Sequence, residues 1–458
     1  MVPGDLSEPD LIEGMRAAGL VLAQQQAAQL GLVAELVARR RPQLLADGAT
    51  VPQAEAALED EVGCALGIGR GRAARWIDLA DGLARLPLTF DALAAGRLDL
   101  DRARDVVTAT ADLSRADAAT VEKTLVPTDD QVRPWNLSRS PRAWRSALAR
   151  AAIAVDPAAA QRRRDHAVAG RQVRTWTADN GMGEYWGRAA VEDVAMIEAA
   201  VQALADADDA PGPDGKPRTI DQRRSDAFVN VFRAALEGRP LPRPAGSGGP
   251  GAGAPSTGIV VSLGTALGTS DEPGELDGLG TRTPVTADVA RDLVAASVRG
   301  GGTQRLLVTD PAGALIRVLT VPAGDVPTGG WTLPGVRAAV RAGFERAGLL
   351  RTDAYTPTAA IRQHVIARNP HCDFHDCPRA ARRADLDHGI PHPDGPTDVN
   401  NLHPRCRRHH EHKTRRRWSA TYDPVTVTTT WTGPTGHRYA TRPPPLPGCP
   451  DLVAVPGP

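Results

Sequence analysis

Residues 361–419 have the sequence IRQHVIARNPHCDFHDCPRAARRADLDHGIPHPDGPTDVNNLHPRCRRHHEHKTRRRWS. Nine of the chain's 11 histidines and three of its 5 cysteines lie within this stretch. The rest of the chain is nearly free of both residue types, so the concentration is not a product of overall composition. Cysteine and histidine are the usual protein ligands of zinc. The stretch therefore indicates a metal site.

The spacing of four of these residues indicates which metal. Cys372 and Cys377 bracket a short loop, and Cys406 and His409 lie one turn apart on a predicted helix from Pro404 to about Arg417. Two ligands from a loop and two from the start of a helix form small tetrahedral zinc sites. A segment this short buries little apolar surface, so a bound metal would supply much of its folding energy. Unconnected thiols and solvated histidines are the alternative, and the spacing favours structural Zn²⁺.

A second group of polar residues lies between the two ligand pairs. Asp387 and His388 end a strand-like run, and Asn401 follows a turn region rich in Gly, Pro and Asp. His410 directly follows His409, and adjacent helix residues point about 100° apart because a helix has about 3.6 residues per turn. One histidine can therefore face the zinc while the other faces His388. This pattern predicts His, Asn and His on a strand–strand–helix unit.

From Asp385 to Thr414 the pattern DxDH…N-N-L…C-R-R-H-H…K-T resembles the HNH, or ββα-metal, endonucleases. The resemblance implies that His388 is the general base and that Asn401 positions its loop and imidazole. It also implies that Asp387 and His410 hold a catalytic divalent cation, with Mg²⁺ or Mn²⁺ expected. By the same resemblance, Zn²⁺ is held by Cys372, Cys377, Cys406 and His409. The commoner pattern has cysteine at the position of His409, which leaves open which of His403, His409 and His410 contacts which metal.

The residue types suit phosphodiester hydrolysis. This reaction needs a water activated near neutral pH, which suits a histidine with its ordinary pKa of about 6.5. It also needs a cation at the scissile phosphate. Twelve Lys and Arg residues outnumber seven Asp and Glu residues between 361 and 419, so this stretch carries +5 in a chain of zero net charge. The residues expected to contact nucleic-acid phosphates are Arg405, Arg407, Arg408, Lys413, Arg415, Arg416 and Arg417.

Three functions are compatible with these patterns. The first is a metal-dependent endonuclease acting on DNA, with an RNA substrate left open. The second is a zinc-stabilised nucleic-acid-binding module without catalysis. The third is an interaction protein whose C-terminal part is only a structural knuckle. A structural zinc site gives no reason for Asp387, His388, Asn401 and His410 to occur together, and this favours the nuclease.

The remaining sequence bounds the class of protein. At 458 residues with 41% hydrophobic and 24% charged residues, the composition is typical of a globular protein with two or three domains. The N-terminal residues lack the basic and apolar segments of a signal peptide, and no apolar run approaches the roughly 18 residues of a membrane span. Cys64 is expected to be a buried thiol, and the cysteines form no disulfide framework. A cytoplasmic location is expected.

The chain order predicts a mainly α N-terminal domain with a small α+β section, a linker and a C-terminal zinc-stabilised ββα-metal (HNH) module. The predicted boundaries are 1–238 for the helical domain, 239–257 for a flexible Gly/Pro linker, 258–350 for the α+β section, 355–441 for the HNH module and 442–458 for a Pro-rich tail. The first long helix is predicted over 9–41, ended by Pro42. Residues 61–77 fit either a DNA-reading helix-turn-helix or a tight helical corner.

The N-terminal region resembles the family of proteins with domain of unknown function 222 (DUF222). The matching residues are Glu61-Val62, Leu66-Gly67, Leu86-Pro87, Leu93–Arg97 and Thr219–Ala227. Members of that family commonly carry a C-terminal HNH module, so the two resemblances agree with each other. The resemblance assigns no chemistry to the helical half.

Overall fold

A computed structural model describes most of the chain. The described residues are 4, 6–135, 137, 139–178, 181–212, 214–242, 258–278, 281–299, 304–309, 315–321, 341–343, 348–415, 418–444 and 446–447. Most of the predicted linker, most of the predicted tail, and Arg416 and Arg417 lie outside these residues.

The N-terminal region is mainly helical, as the sequence predicts. Its helices are α1 (Glu8–Ala46), α2 (Val51–Leu66), α3 (Arg70–Ala84), α4 (Pro87–Ala94), α5 (Leu100–Thr110), α6 (Arg115–Leu125), α7 (Pro141–Val155), α8 (Pro157–Ala169), α9 (Val191–Ala207) and α10 (Ile220–Leu236). Several of them begin at side chains that accept a hydrogen bond from the first turn, such as Asp99, Ser114 and Ser140. An exposed antiparallel hairpin of β1 (Gln172–Thr177) and β2 (Gly183–Arg188) separates α8 from α9.

Two details of the N-terminal helices differ from the prediction. Helix α1 does not end before Pro42 but continues to Ala46, where ion pairs from Arg40 to Glu61 and from Arg41 to Glu55 hold its last turns against α2. Cys64 is exposed, because α2 turns a different face into the core. Residues 61–77 form a helical corner whose apolar face is buried, including Val62, Ala73 and Ile77.

The first part of the α+β section shares a core with the helical region. Three antiparallel strands, β3 (Gly258–Val260), β4 (Gly274–Gly278) and β5 (Thr281–Val285), are followed by α12 (Ala287–Arg299), with a short helix α11 (Leu263–Ala266) between β3 and β4. Ala195 of α9 packs with Leu276 and Val289 in one apolar cluster. A buried ion pair joins Arg150 of α7 to Glu275 of β4. The hairpin β6 (Gln304–Thr309) and β7 (Leu315–Val321) follows.

The C-terminal part is built from short strands and two helices. In chain order these are β8 (Arg351–Thr352), α13 (Ala359–Arg368), β9 (Asp385–His388), β10 (Thr397–Asp398), β11 (Leu402–Arg405), α14 (Arg407–Thr414), β12 (Ser419–Asp423), β13 (Thr428–Thr432) and β14 (Arg438–Thr441). Strands β9 and β11 pair antiparallel, with His388 opposite Leu402 and Asp385 opposite Arg405. The chain then enters α14 directly from β11, so this part contains a strand–strand–helix unit.

The start of α14 differs from the prediction. A helix from Pro404 to about Arg417 was expected, but Pro404 and Arg405 belong to β11 and the helix spans only Arg407–Thr414. The pairing of β11 with β9 keeps these residues extended, and Cys406 then caps the helix. Among the residues that the structure describes, no helix combines the length and apolar character needed to cross a membrane.

Candidate functional site

The four predicted zinc ligands lie together. One ligand atom from each of Cys372, Cys377, Cys406 and His409 lies within 4.8 Å of every other. The Cys377 and Cys406 sulfurs are 3.9 Å apart, and His409 Nδ1 lies 3.3 Å from the Cys406 sulfur and 3.4 Å from the Cys372 sulfur. Tetrahedral Zn²⁺ places two sulfurs about 3.8 Å apart and a sulfur and a nitrogen about 3.5 Å apart, given bonds of about 2.3 and 2.0 Å. The cluster therefore fits a structural zinc.

Local hydrogen bonds build this cluster from two segments. The loop that carries Cys372 and Cys377 is closed by bonds from the Cys372 amide to the Arg379 carbonyl and from the Cys377 amide to the Phe374 carbonyl. The Phe374 ring stacks on the His409 imidazole with ring centroids 3.9 Å apart, which fixes the orientation of that ligand. His409 is thus the histidine of the zinc cluster.

Two thiols of this cluster share a hydrogen bond. A hydrogen bond between Cys372 and Cys377 lowers the pKa of Cys377 to about 4, and the same bond together with burial raises the pKa of Cys372. Thiolates are the metal-binding form of cysteine. The hydrogen bond therefore favours the form of Cys377 that binds a metal.

His410 belongs to a second, separate group of side chains. Its Nδ1 lies 2.9 Å from Asp385 Oδ2, and its Nε2 lies 3.4 Å from Asp387 Oδ1. The other oxygen of Asp387 is 3.1 Å from Lys413 Nζ and also contacts the Arg405 guanidinium. Helix α14 thus turns His409 to the cysteines and His410 to the carboxylates of β9, as the 100° step between adjacent residues predicts.

His388 follows Asp387 on β9 and lies behind an aromatic ring. The side chain is buried, and its Nε2 lies 2.8 Å from Thr397 Oγ1. The Tyr355 ring stacks on the imidazole with centroids 5.3 Å apart. Burial, followed by the neighbouring His392, lowers the pKa of His388 below its ordinary value. His388 is therefore neutral at a lower pH than a solvated histidine.

Asn401 holds the loop between His388 and β10. Its Oδ1 accepts a hydrogen bond from the Ile390 amide at 2.8 Å, and its Nδ2 donates to the carbonyls of Ile390 at 3.0 Å and Pro396 at 2.7 Å. This side chain satisfies three backbone groups of one loop. The hydrogen bond that holds the imidazole itself comes from Thr397, so Asn401 contacts the loop and not the His388 ring.

The predicted nucleic-acid contacts divide into two sets. Arg407, Arg408 and Arg415 are exposed on or directly after α14, and Lys413 is partly buried beside Asp387. Arg405, in contrast, is only 1% exposed, and its guanidinium pairs with the buried Asp373 and with Asp387. The prediction that Arg405 contacts phosphate is therefore wrong. Arg416 and Arg417 lie outside the described residues.

His403 belongs to neither group. It is 1% exposed, lies edge-on to the Tyr422 ring, and burial holds its pKa well below the ordinary value. A neutral, buried imidazole here serves packing. His409 therefore lies with the cysteines and His410 with the carboxylates of β9, whereas His403 lies with neither.

Comparison with known proteins identifies the larger part of the chain. The family model for Domain of unknown function (DUF222) matches residues 16–299. The chain belongs to the DUF222 family. The match extends from α1 through α12, so it includes β3–β5 as well as the helical region and passes the predicted boundary at residue 238. It ends before the candidate site, so the HNH resemblance depends on the residues of that site alone.

Two relatives of this DUF222 chain come from Mycobacterium tuberculosis. Uncharacterized protein Rv3776 of strain ATCC 25618 / H37Rv is 31% identical over 280 residues, which cover 58% of this chain and 47% of that protein. Uncharacterized protein MT2160 of strain CDC 1551 / Oshkosh is 29% identical over 283 residues, with the same coverage of 58% and 47%. The chain thus spans about half the length of the curated relatives it matches. No solved structure matches the chain.

Three residues of the site were not assigned a role from the sequence. The place of Asp385 in the site could have been predicted, because it lies two residues before Asp387 and side chains of alternate strand residues share a face. Thr397 stands 9 residues after His388 and Tyr355 stands 33 residues before it, and neither forms a local pattern with it. Their contacts depend on the pairing of β8 with β10.

Proposed function

We propose that this DUF222 chain is a metal-dependent endonuclease that hydrolyses phosphodiester bonds in DNA, with His388 as its general base. The observation that carries the proposal is the placement of His410. Its two ring nitrogens face two different carboxylates, Asp385 and Asp387, and Asp387 precedes His388 on the same strand. A zinc-binding knuckle needs neither of these two contacts.

The side chains fit a divalent cation between Asp387 and His410. Two ligand atoms on one cation lie about 3.0–3.4 Å apart when the bonds are about 2.1 Å, and Asp387 Oδ1 and His410 Nε2 are 3.4 Å apart. Asp385 accepts the hydrogen of Nδ1, which leaves the Nε2 lone pair directed at Asp387. A bound Mg²⁺ or Mn²⁺ would neutralise charge on the scissile phosphate.

The hydrogen bonds of His388 suit a general base. The Thr397 hydroxyl can donate to the Tyr355 carbonyl oxygen, 3.5 Å away, and then accepts the hydrogen of His388 Nε2. This arrangement leaves the lone pair on Nδ1, where it can take a proton from water. The lowered pKa keeps that nitrogen unprotonated at neutral pH. Asn401 holds the loop that follows His388 and so limits its movement.

The charges around the site suit a polyanion. Exposed guanidinium groups lie on or directly after α14, at Arg407, Arg408 and Arg415. The amine of Lys413 lies beside Asp387, the proposed cation ligand. Such side chains bind phosphates without regard to base sequence, and binding of this kind weakens steeply with salt. The proposed site therefore combines side chains that can contact the phosphate backbone of DNA with side chains that can hydrolyse it.

The test is the nicking of supercoiled plasmid by the purified full chain with Mg²⁺, with Mn²⁺ and with chelator. We expect metal-dependent nicking and a loss of roughly 10²–10⁴-fold in rate for His388→Ala. His166→Ala, on helix α8 outside the candidate site, is the matched control and should nick like the wild type. A His388→Ala protein that nicks normally would remove the proposed base. Absent nicking, with zinc and DNA still bound, would instead favour a zinc-stabilised binding module.

A further inference from the structure

Tyr355 is the exposed aromatic side chain next to the proposed general base. It is 68% exposed, although its ring stacks on the buried His388 with centroids 5.3 Å apart and lies edge-on to His392 at 5.7 Å. The ring therefore packs against the imidazole while most of its own surface remains exposed to solvent. Ile390, in the loop that follows His388, is also 58% exposed.

The segment that carries Tyr355 is fixed in place. Strand β8 pairs with β10, so Thr352 lies opposite Thr397. The Thr397 hydroxyl contacts the Tyr355 carbonyl oxygen, and His392 Nε2 lies 3.3 Å from the Asp353 carbonyl oxygen. Three separate contacts thus hold a segment outside the strand–strand–helix unit against it. An exposed ring held this way is positioned before any ligand arrives.

A flat ring of this kind is a platform for a nucleobase. Bases stack on aromatic side chains in a sequence-tolerant way, because every base has a π face. The bases of an intact duplex already stack on each other, so a base must leave the duplex before it can stack on a protein ring, and this unstacking costs free energy. A strand whose bases are unpaired does not incur this cost.

We propose that Tyr355 stacks on an unpaired base beside the scissile phosphate, and that the substrate of this site is single-stranded DNA. This inference rests on the proposed nuclease function and specifies its substrate. His388 and Tyr355 then act on adjacent groups of one nucleotide step: the imidazole on the water that attacks the phosphate, and the ring on the neighbouring base. The exposed arginines of α14 contact the backbone further along the strand.

The experiment uses the full chain with Ca²⁺ in place of Mg²⁺ or Mn²⁺, so that DNA is bound and not cut while the His388 ring stays beside Tyr355. The probe is a single-stranded oligonucleotide with one 2-aminopurine, whose fluorescence is quenched by stacking. We expect quenching on binding, and a roughly 5- to 100-fold weaker affinity with loss of quenching when Tyr355→Leu is added. Tyr355→Phe should retain both. Tyr185→Leu, at an exposed tyrosine of strand β2 outside the candidate site, should bind like the parent protein.

The outcomes separate the two proposals. Quenching that needs Tyr355, in a protein that nicks no DNA, supports the stacking role and rejects the nuclease. Metal-dependent nicking together with unchanged oligonucleotide affinity and quenching in Tyr355→Leu rejects the stacking role and keeps the nuclease. If Tyr355→Leu alters only the pH dependence of cleavage, the ring orients His388 and the substrate assignment is wrong. Equal affinity for a duplex of the same sequence overturns the preference for single strands.

Discussion

His410 donates its Nδ1 hydrogen to Asp385, whose Oδ2 lies 2.9 Å away, and this bond determines which ring nitrogen is free to bind a cation. The free nitrogen, Nε2, faces Asp387 Oδ1 at 3.4 Å. Metal-binding histidines usually donate their second ring hydrogen to a carboxylate or carbonyl, which fixes the tautomer and the orientation of the ring. In the proposed nuclease, Asp385 would therefore act on the cation through His410 and would need no contact with the cation of its own.

Replacing Asp385 with asparagine tests this relationship. Asp385→Asn keeps the shape of the side chain but removes its charge, so His410 loses both a charged acceptor and its preferred tautomer. We expect cleavage to fall by roughly 10- to 100-fold, with part of the loss recovered at high Mg²⁺ or Mn²⁺. The measurement is the nicking rate as a function of cation concentration.

The control for Asp385→Asn is Glu411→Gln, which also removes one carboxylate charge near α14. Glu411 pairs with the exposed Arg407 and Arg415, whereas the carboxylate at His410 Nδ1 is that of Asp385. It should leave the cation dependence unchanged. Equal cation dependence in Asp385→Asn and wild type would show that Asp385 does not orient His410.

Zinc binding can be tested at Cys377. Cys377→Ala removes one of four ligands, and the structural metal supplies much of the folding energy of so small a segment. We expect loss of bound zinc and protease sensitivity confined to the C-terminal part, with the DUF222 helices still folded. Zinc content by mass spectrometry and limited proteolysis are the measurements. Cys64→Ala, at an exposed thiol outside the cluster, should retain zinc; zinc retained in Cys377→Ala would reject the four-ligand site.

Sequence and structure agree best where the pattern is local. The four zinc ligands come as two close pairs, and the step from His409 to His410 follows from helix geometry alone. The mainly helical N-terminal region follows from apolar periodicity and capping residues. In each case the relevant residues lie within a few positions of each other, so the sequence contains the information directly.

The sequence did not predict the position of side chains that depend on pairing between strands far apart in the chain. Arg405 looks like its exposed arginine neighbours in sequence, but the pairing of β11 with β9 turns it inward to Asp373 and Asp387. Tyr355 meets His388 only because β8 pairs with β10. Residue type cannot distinguish a buried arginine from an exposed one, and spacing cannot reveal a contact made by a separate strand.

The buried position of Arg405 leads to a stability prediction. Its guanidinium neutralises Asp373, which is 2% exposed, and lies 4.9 Å from the Trp431 ring centroid. Breaking a buried ion pair leaves an uncompensated charge, so Arg405→Met should cost roughly 3–5 kcal/mol. Chemical unfolding followed by tryptophan fluorescence measures this loss.

The double variant Asp373→Leu with Arg405→Met is the matched comparison. It removes both buried charges, and replacing a buried pair with apolar side chains is often nearly neutral. We expect most of the lost stability to return. A double variant as unstable as Arg405→Met alone would mean that the arginine stabilises through Asp387 or by packing on Trp431, and not by neutralising Asp373.

His364 of α13 predicts how stability depends on pH. Burial, followed by repulsion from Arg368 and Arg317, lowers the pKa of His364 to about 4, below an unfolded value of about 6.5. Between these two values the unfolded chain binds a proton that the folded chain does not, so stability falls as the pH drops from 6.5 towards 4. The variant His364→Leu cannot bind this proton. When the pH is lowered from 7 to 5, the unfolding free energy of the wild type should fall by about 2 kcal/mol more than that of the variant. Urea unfolding at the two pH values measures the difference, and parallel losses in both proteins would show that His364 is protonated in the folded state.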